Sequence, residues 1–315
     1  MAIEKLGVVG CGMMGLGIVE VAALAGNRVT AIKLTAGDLE KVREKIAKSL
    51  DRQVQKDTLK PEQRDAALAR ITVSHSLSDL ADCDLVIEST IEKLDAKREL
   101  LPKIEAALRP EAILASNTSS LRLATIEHGL TRPCRFLGVH FFNPATVMKL
   151  VEVAATDRTR SDVTDEVIAW TEQLGKSAVR VSDQPGYVVN RLLVPFLMHA
   201  MSLYEGGVAS IEDIDTAMKL GCAHPMGPFA LADFIGLDVV LAMARTMLSE
   251  HDDVRYAAPQ LLTRLVNAGH LGRKSKLGFY DYATTPPRPN PLLVARAANK
   301  QVSFSRDGGE RHSVV

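Results

Sequence analysis

Several large classes of protein are excluded by what this chain lacks. Its four cysteines, Cys11, Cys83, Cys134 and Cys222, form no Cys-x-x-Cys pair. Neither a zinc site nor a disulfide framework is therefore expected, no metal is implied, and a reducing cytosol fits. There is no excess of either charge, since 38 Lys plus Arg stand against 38 Asp plus Glu. No global field steers the protein to nucleic acid or to an anionic membrane, so a small-molecule partner is expected. Long hydrophobic runs are also missing. The most apolar later stretch, residues 188–203, is interrupted by Asn190, Arg191 and His199, short of the roughly 20 apolar residues that a membrane span needs. The N-terminus runs from Met1 into the apolar Leu6 to Val9 without the basic and long apolar regions of a signal peptide. A cytoplasmic protein is the expectation.

What is present points to two domains. The chain has 315 residues with 46% apolar content, and single cores stop growing at roughly 250 to 300 residues. Leu6-Gly7-Val8-Val9 reads as a buried strand, residues 14–24 as a helix ending at Gly26, and residues 29–32 as the next strand, which is a βαβ opening. Residues 39–56 and 61–70 read as a charged, exposed helical hairpin. Strands are then expected at residues 71–73, 85–87, 113–115 and 136–139, with helical patterns at 93–108 and around 124–128. Such alternation argues for an α/β domain built on a doubly wound parallel sheet. After a strand at residues 178–181, the cluster Ser182-Asp183-Gln184-Pro185-Gly186 closes the series and sets a first domain over 1–184. From Tyr187 to Val266 nearly everything reads as helix, broken at Gly206-Gly207, His224-Pro225-Met226-Gly227-Pro228 and Gly236, giving a smaller all-α domain over 185–282. Residues 283–315, with Pro286, Pro287, Pro289 and Pro291, are expected to form a loose tail.

Two motifs carry chemistry. Gly10-Cys11-Gly12-Met13-Met14-Gly15 matches G-x-G-x-x-G between strand and helix, the pattern of a Rossmann-type dinucleotide site with the pyrophosphate at the helix N-terminus; a plain glycine-rich turn is the alternative. NAD-preferring sites place an acid at the end of the second strand, and here that position is Lys33. A lysine cannot accept the ribose hydrogen bond and attracts a 2′-phosphate, so NADP or relaxed cofactor choice follows. The other reading has Lys33 pointing to solvent with NAD held elsewhere. The second motif is His140-Phe141-Phe142-Asn143-Pro144, followed by Glu152 twelve residues after the histidine. An imidazole suits the proton of an alcohol, and a carboxylate on its other nitrogen would fix its tautomer. Alone, such a histidine is more often a satisfied core residue.

Further motifs follow in order: Ser116-Asn117-Thr118-Ser119-Ser120, Pro185-Gly186-Tyr187-Val188-Val189-Asn190-Arg191, Asp213-Ile214-Asp215, and Gly278-Phe279-Tyr280. With the two above, they resemble the L-3-hydroxyacyl-CoA dehydrogenase (3-hydroxybutyryl-CoA dehydrogenase) family over roughly residues 3–282. The resemblance implies an NAD(P)-dependent oxidoreductase that interconverts a (3S)-3-hydroxyacyl-CoA and its 3-oxoacyl-CoA. It implies His140 as catalytic base, Glu152 as its orienting carboxylate, and Ser119 and Asn190 as donors to the C3 oxygen. Nucleotide contacts are implied from Glu92, Lys97, Asn143 and Lys274 beside the glycine cradle, coenzyme A contacts from Ser49 and Lys56, and a homodimer through the helical domain. Each has a plainer reading from the residues alone: Ser119 and Asn190 as helix or turn caps, Glu92 and Lys97 as an exposed helix pair, Ser49 and Lys56 as a solvated face. Two positions depart from the family pattern, Lys33 and Lys276, the latter where a glycine is usual. They keep open the same chemistry on a group tethered to an acyl carrier protein. A non-catalytic dinucleotide-binding relative is the reading of a different class.

Overall fold

A computed structural model of the chain describes residues 3–293. It divides into two compact units, the first running to Val188 and the second beginning at Val189.

The first unit is built on an eight-stranded sheet in the order β3-β2-β1-β4-β5-β6-β7-β8. It opens with β1 (Lys5–Val9), α1 (Met13–Leu24) and β2 (Arg28–Ile32), followed by the hairpin of α2 (Glu40–Gln55) and α3 (Pro61–Ala69). β3 (Ile71–Ser74), β4 (Leu85–Glu88), α4 (Leu94–Ala107), β5 (Ile113–Ser116), α5 (Leu123–Ile126) and β6 (Phe136–Phe141) continue the series. It closes with β7 (Leu150–Ala155), α6 (Ser161–Gln173) and β8 (Ser177–Ser182). The central strands are apolar throughout because both faces are covered: Val86 joins one hydrophobic cluster and Ile87 the other, as do Val9 and Val8. On α2 only Val42, Ile46 and Leu50 are buried, one stripe at four-residue spacing on an otherwise charged helix. The expected α/β fold class is thus present.

The sheet departs from the expected purely parallel arrangement at one step. β6 and β7 pair antiparallel, whereas β8 returns parallel to β7 after α6. Only residues 142–149 separate β6 from β7, too few for the crossover of about a dozen residues that a parallel pair requires. Neither β7 nor α6 is among the elements expected from sequence.

The second unit contains α7 (Val189–Glu205), α8 (Ile211–Gly221), α9 (Pro228–Ile235), α10 (Leu237–His251) and α11 (Gln260–Asn267). Its core is its own, with the rings of Phe229 and Phe279 4.7 Å apart at their centroids. α7 begins two residues later than the expected helical start, since Tyr187 has a φ of 45°. Lys276 has a φ of 62°, the left-handed region that glycine enters freely and that costs another residue about 1 kcal/mol. The expected loose tail is not loose where it begins. β9 (Tyr280–Asp281) pairs antiparallel with β10 (Arg288–Pro289), and fully buried Asn290 donates through Nδ2 to the Gly278 carbonyl at 2.8 Å. Residues 294–315 of that expected tail lie outside the described residues. Among the described residues no helix is long and apolar enough to cross a membrane.

Candidate active site

The order of strands reverses between β1 and β4, and a cavity of about 780 Å³ opens where loops leave their C-terminal ends, the usual ligand crevice of such sheets. Gly10 and Gly15 serve the fold itself. A Cβ on Gly10, where φ is +115°, would lie 2.4 Å from the Ser89 carbonyl oxygen, and one on Gly15 would lie 1.9 Å from that of Gly10. Gly12 differs, because a Cβ there would meet nothing within 4 Å. Its bareness leaves open space at the start of α1, which has neither a side-chain cap nor an acid in its first turn. Those first N–H groups are left for an anionic ligand such as a pyrophosphate. Met13 and Met14 line the same cavity.

Lys33 follows β2 and also lines this cavity. Its ammonium is turned onto its own loop, donating to the Thr35 carbonyl at 2.6 Å, the Thr35 hydroxyl at 2.8 Å and the Ala36 carbonyl at 2.7 Å. Lys45 of α2, which sequence reasoning did not single out, stands on the same wall. The carboxylates lining the cavity, Glu92 and Glu99, come from the segment after β4 rather than from the end of β2.

Of the pair that the plainer reading places on the surface, Glu92 is exposed but Lys97 is not. Lys97 is 1% exposed, and its ammonium sits 2.8 Å from each oxygen of buried Glu88 and 3.5 Å from Glu92 Oε2. Such burial leaves Lys97 no open approach to a nucleotide in this structure. Glu92 Oε1 accepts from the Thr118 hydroxyl at 2.6 Å, the Ser119 N–H at 2.8 Å, the Ser120 N–H at 3.0 Å and the Ser119 hydroxyl at 3.3 Å. Burial alone would raise the Glu92 pKa, but the Lys97 ammonium and these donors hold it below the usual carboxylate value. Glu88 was missed from sequence. It fixes Lys97, Lys97 fixes Glu92, and Glu92 fixes the loop that carries Ser119.

His140 and Glu152 are directly opposite each other across the antiparallel β6–β7 pair, so their side chains emerge on one face of the sheet. His140 Nδ1 lies 2.8 Å from Glu152 Oε2, with the two side chains 7% and 1% exposed. Glu152 Oε1 accepts the Val188 N–H at 3.0 Å. Nδ1 therefore carries the hydrogen, and Nε2 presents its lone pair with no protein donor among the described residues. Phe142 and Tyr187 hold the ring from its sides, at centroid distances of 4.5 and 5.5 Å. Asn117, which lines the dinucleotide cavity, accepts the Phe141 N–H through Oδ1 at 2.9 Å and so ties the end of β6 to it.

A second cavity, of about 900 Å³, lies among α1, α2 and the turn Asn143–Thr146. Asn143 and Ser49 line it, together with Lys45, Lys48 and Arg52. Asn143 is thus placed on this cavity and not on the first. Lys56 is exposed at the C-terminal cap of α2 and does not line either. Asn190 and Lys274 belong to the second unit, Asn190 buried near the start of α7 and Lys274 paired with Asp238.

Comparison with known proteins identifies the family. The family model for the 3-hydroxyacyl-CoA dehydrogenase NAD binding domain matches residues 5–184, and that for the family's C-terminal domain matches residues 186–282. A 3-hydroxybutyryl-CoA dehydrogenase of Bradyrhizobium diazoefficiens is 45% identical over 291 residues, covering 91% of this chain and 98% of that protein. The crystal structure of M. tuberculosis FadB2 superposes with a TM-score of 0.86 at 42% identity, covering 90% of this chain and 100% of that one. That of (S)-3-hydroxybutyryl-CoA dehydrogenase PaaH1 from Ralstonia eutropha gives 0.85 at 41% identity, with the same coverages. With its glycine cradle, its histidine and carboxylate joined across one strand pair, and both family domains matched in order, the chain belongs to the 3-hydroxyacyl-CoA dehydrogenase family.

Proposed function

We propose that this protein interconverts (3S)-3-hydroxyacyl-CoA and 3-oxoacyl-CoA, with His140 as the proton acceptor in oxidation and the proton donor in reduction. The observation that carries this reading is the 2.8 Å contact of His140 Nδ1 with Glu152, which leaves Nε2 open. A nicotinamide bound at the glycine cradle would supply the chemistry of taking hydride from C3 or returning it. His140 Nε2 accepts the hydroxyl proton as that hydride departs, and the Glu152 carboxylate balances the imidazolium that forms. In the other direction the same nitrogen returns the proton to the C3 oxygen. Ser119, whose backbone N–H is held by Glu92 Oε1 at 2.8 Å, supplies a hydroxyl donor where charge builds on that oxygen once its O–H turns from the longer 3.3 Å bond to Glu92. Steady-state turnover of acetoacetyl-CoA with NADH tests the reading, and no turnover with either nicotinamide cofactor rejects it.

Coenzyme A is favoured over a carrier protein by Lys45, Lys48 and Arg52, which line the second cavity beside Ser49 and suit the phosphates of a nucleotide-bearing carrier. Relaxed cofactor choice is proposed on the absence of a carboxylate from the Lys33 corner among the described residues. Lys33 and Lys45 offer charge to a 2′-phosphate, and the Thr35 hydroxyl offers a partner to the unphosphorylated ribose. Replacing Lys33 by Asp lowers kcat/KM for NADPH about tenfold or more relative to NADH; an unchanged ratio rejects this assignment. A homodimer is proposed on apolar side chains of the second unit, Leu192 and Leu220, which are 71% and 82% exposed. Sedimentation at micromolar concentration as a single 34.2 kDa species rejects it.

A further inference from the structure

The second cavity contains a buried acid that the proposed chemistry does not use. Glu20 of α1 is 4% exposed, yet its carboxylate reaches the wall of that cavity. Its hydrogen-bond partners among the described residues both come from α2 and both meet one oxygen: Ser49 Oγ donates to Oε2 at 2.9 Å and Gln53 Nε2 at 3.4 Å. Oε1 has no protein donor among the described residues. Burial pushes the Glu20 carboxyl up to about 7, although Ser49 and Arg52 pull it down, so its protein partners do not fully offset the desolvation. An apolar residue would fill this site at less cost.

The other residues around the cavity indicate what reaches Glu20. Lys45, Lys48 and Arg52 offer cations, and Asn143, three residues beyond His140, lies on the same cavity. A thioester with its phosphates among the α2 cations and its chain running along this cavity toward Asn143 would lie beside Glu20, an acceptor that repels phosphate and takes a neutral donor. The arm joining thioester to phosphate in coenzyme A carries two secondary amides.

We propose that Glu20 is a specificity residue whose free oxygen accepts an amide N–H of the substrate's pantetheine arm. This rests on the thioester reading above and adds the group that reads the arm. Glu20 and Ser49 then act as one unit, with Ser49 holding Oε2 while Oε1 faces the ligand.

The test is steady-state reduction by this protein, with NADH, of three acetoacetyl thioesters: of coenzyme A, of pantetheine, which keeps the amides without the nucleotide, and of 1-butanethiol, which has neither. Glu20→Met keeps the length and removes the acceptor. It is expected to raise the ratio of KM for the pantetheine thioester to KM for the butyl thioester about tenfold, the loss of one hydrogen bond to a charged group. Glu20→Gln keeps an acceptor and loses the charge, and a change in that ratio of about threefold is expected, so selectivity is read even if the Met variant folds poorly. A unit that only braces α2 would shift all three substrates equally, and that result, or an unchanged ratio in both variants, overturns the proposal. If the unaltered protein turns over none of the three thioesters, the thioester reading fails and this inference falls with it.

Discussion

Glu152 in the first unit and Asp233 in the second are both about 1% exposed, yet they serve different ends. Among the described residues Asp233 accepts from the N–H groups of Phe279 and Tyr280, each at 2.9 Å, and from the Tyr282 hydroxyl at 3.1 Å. All of its donors are fixed parts of the fold, so it staples the segment after α11 onto α9. Glu152 gives one oxygen to a backbone N–H and the other to an imidazole. Since an imidazole can gain and lose a proton at its far nitrogen, the second arrangement can do chemistry and the first cannot. Burial of a carboxylate is common to both; the partner decides the role.

The comparison can be broken by exchanging those partners, beginning with the largest effect. Glu152→Gln is expected to lower kcat about 10³-fold, because the wrong tautomer of His140 is no longer excluded. Steady-state kinetics checks it, and a loss under about fivefold would reduce Glu152 to a staple like Asp233. Lys97→Met leaves Glu88 and Glu92 facing each other without their cation, and a loss of about 3 kcal/mol in urea unfolding is expected. Asp233 gives a pH signature instead. Burial pushes its carboxyl up to about 6, so the folded form holds the proton more tightly than the unfolded chain. Its stabilising share is present below about pH 4 and lost as pH rises through about 6. Relative to an Asp233→Asn variant, the unaltered protein should therefore lose about 2–3 kcal/mol between pH 4 and 7, measured by urea unfolding at each pH. A flat difference would contradict the assignment. The smallest effect is expected at Tyr187, whose hydroxyl is buried without a partner among the described residues; Tyr187→Phe should raise stability by about 1 kcal/mol.

Much of this was legible in the sequence, and the failures have physical causes. The glycine cradle is local, so a strand, a tight turn and a helix announce it in six residues. His140 and Glu152 were paired on chemistry and family resemblance, whereas the strand that joins them was not seen, because a charged residue interrupts the apolar run of β7. Lys97 reads as a surface charge beside Glu92, since the residue that pairs with it in burial is Glu88, on the preceding strand and off the helix altogether. On α2 the cavity-facing cations are Lys45, Lys48 and Arg52, within a turn of Ser49. Lys56 lies past the last helical residue, Gln55, where the helical register no longer applies. The first part of the expected tail is ordered by Asn290, and a run of prolines gives no sign that one buried amide will anchor it.

His140 is proposed to move the substrate proton, while the glycine cradle, and not the histidine, binds the nucleotide. Reduction of acetoacetyl-CoA by the His140→Gln protein, measured beside NADH binding by fluorescence titration, tests it most directly. Turnover should fall about 10³-fold or more while the NADH Kd stays within about twofold. Turnover equal to that of the unaltered protein, with the same Kd, would contradict it.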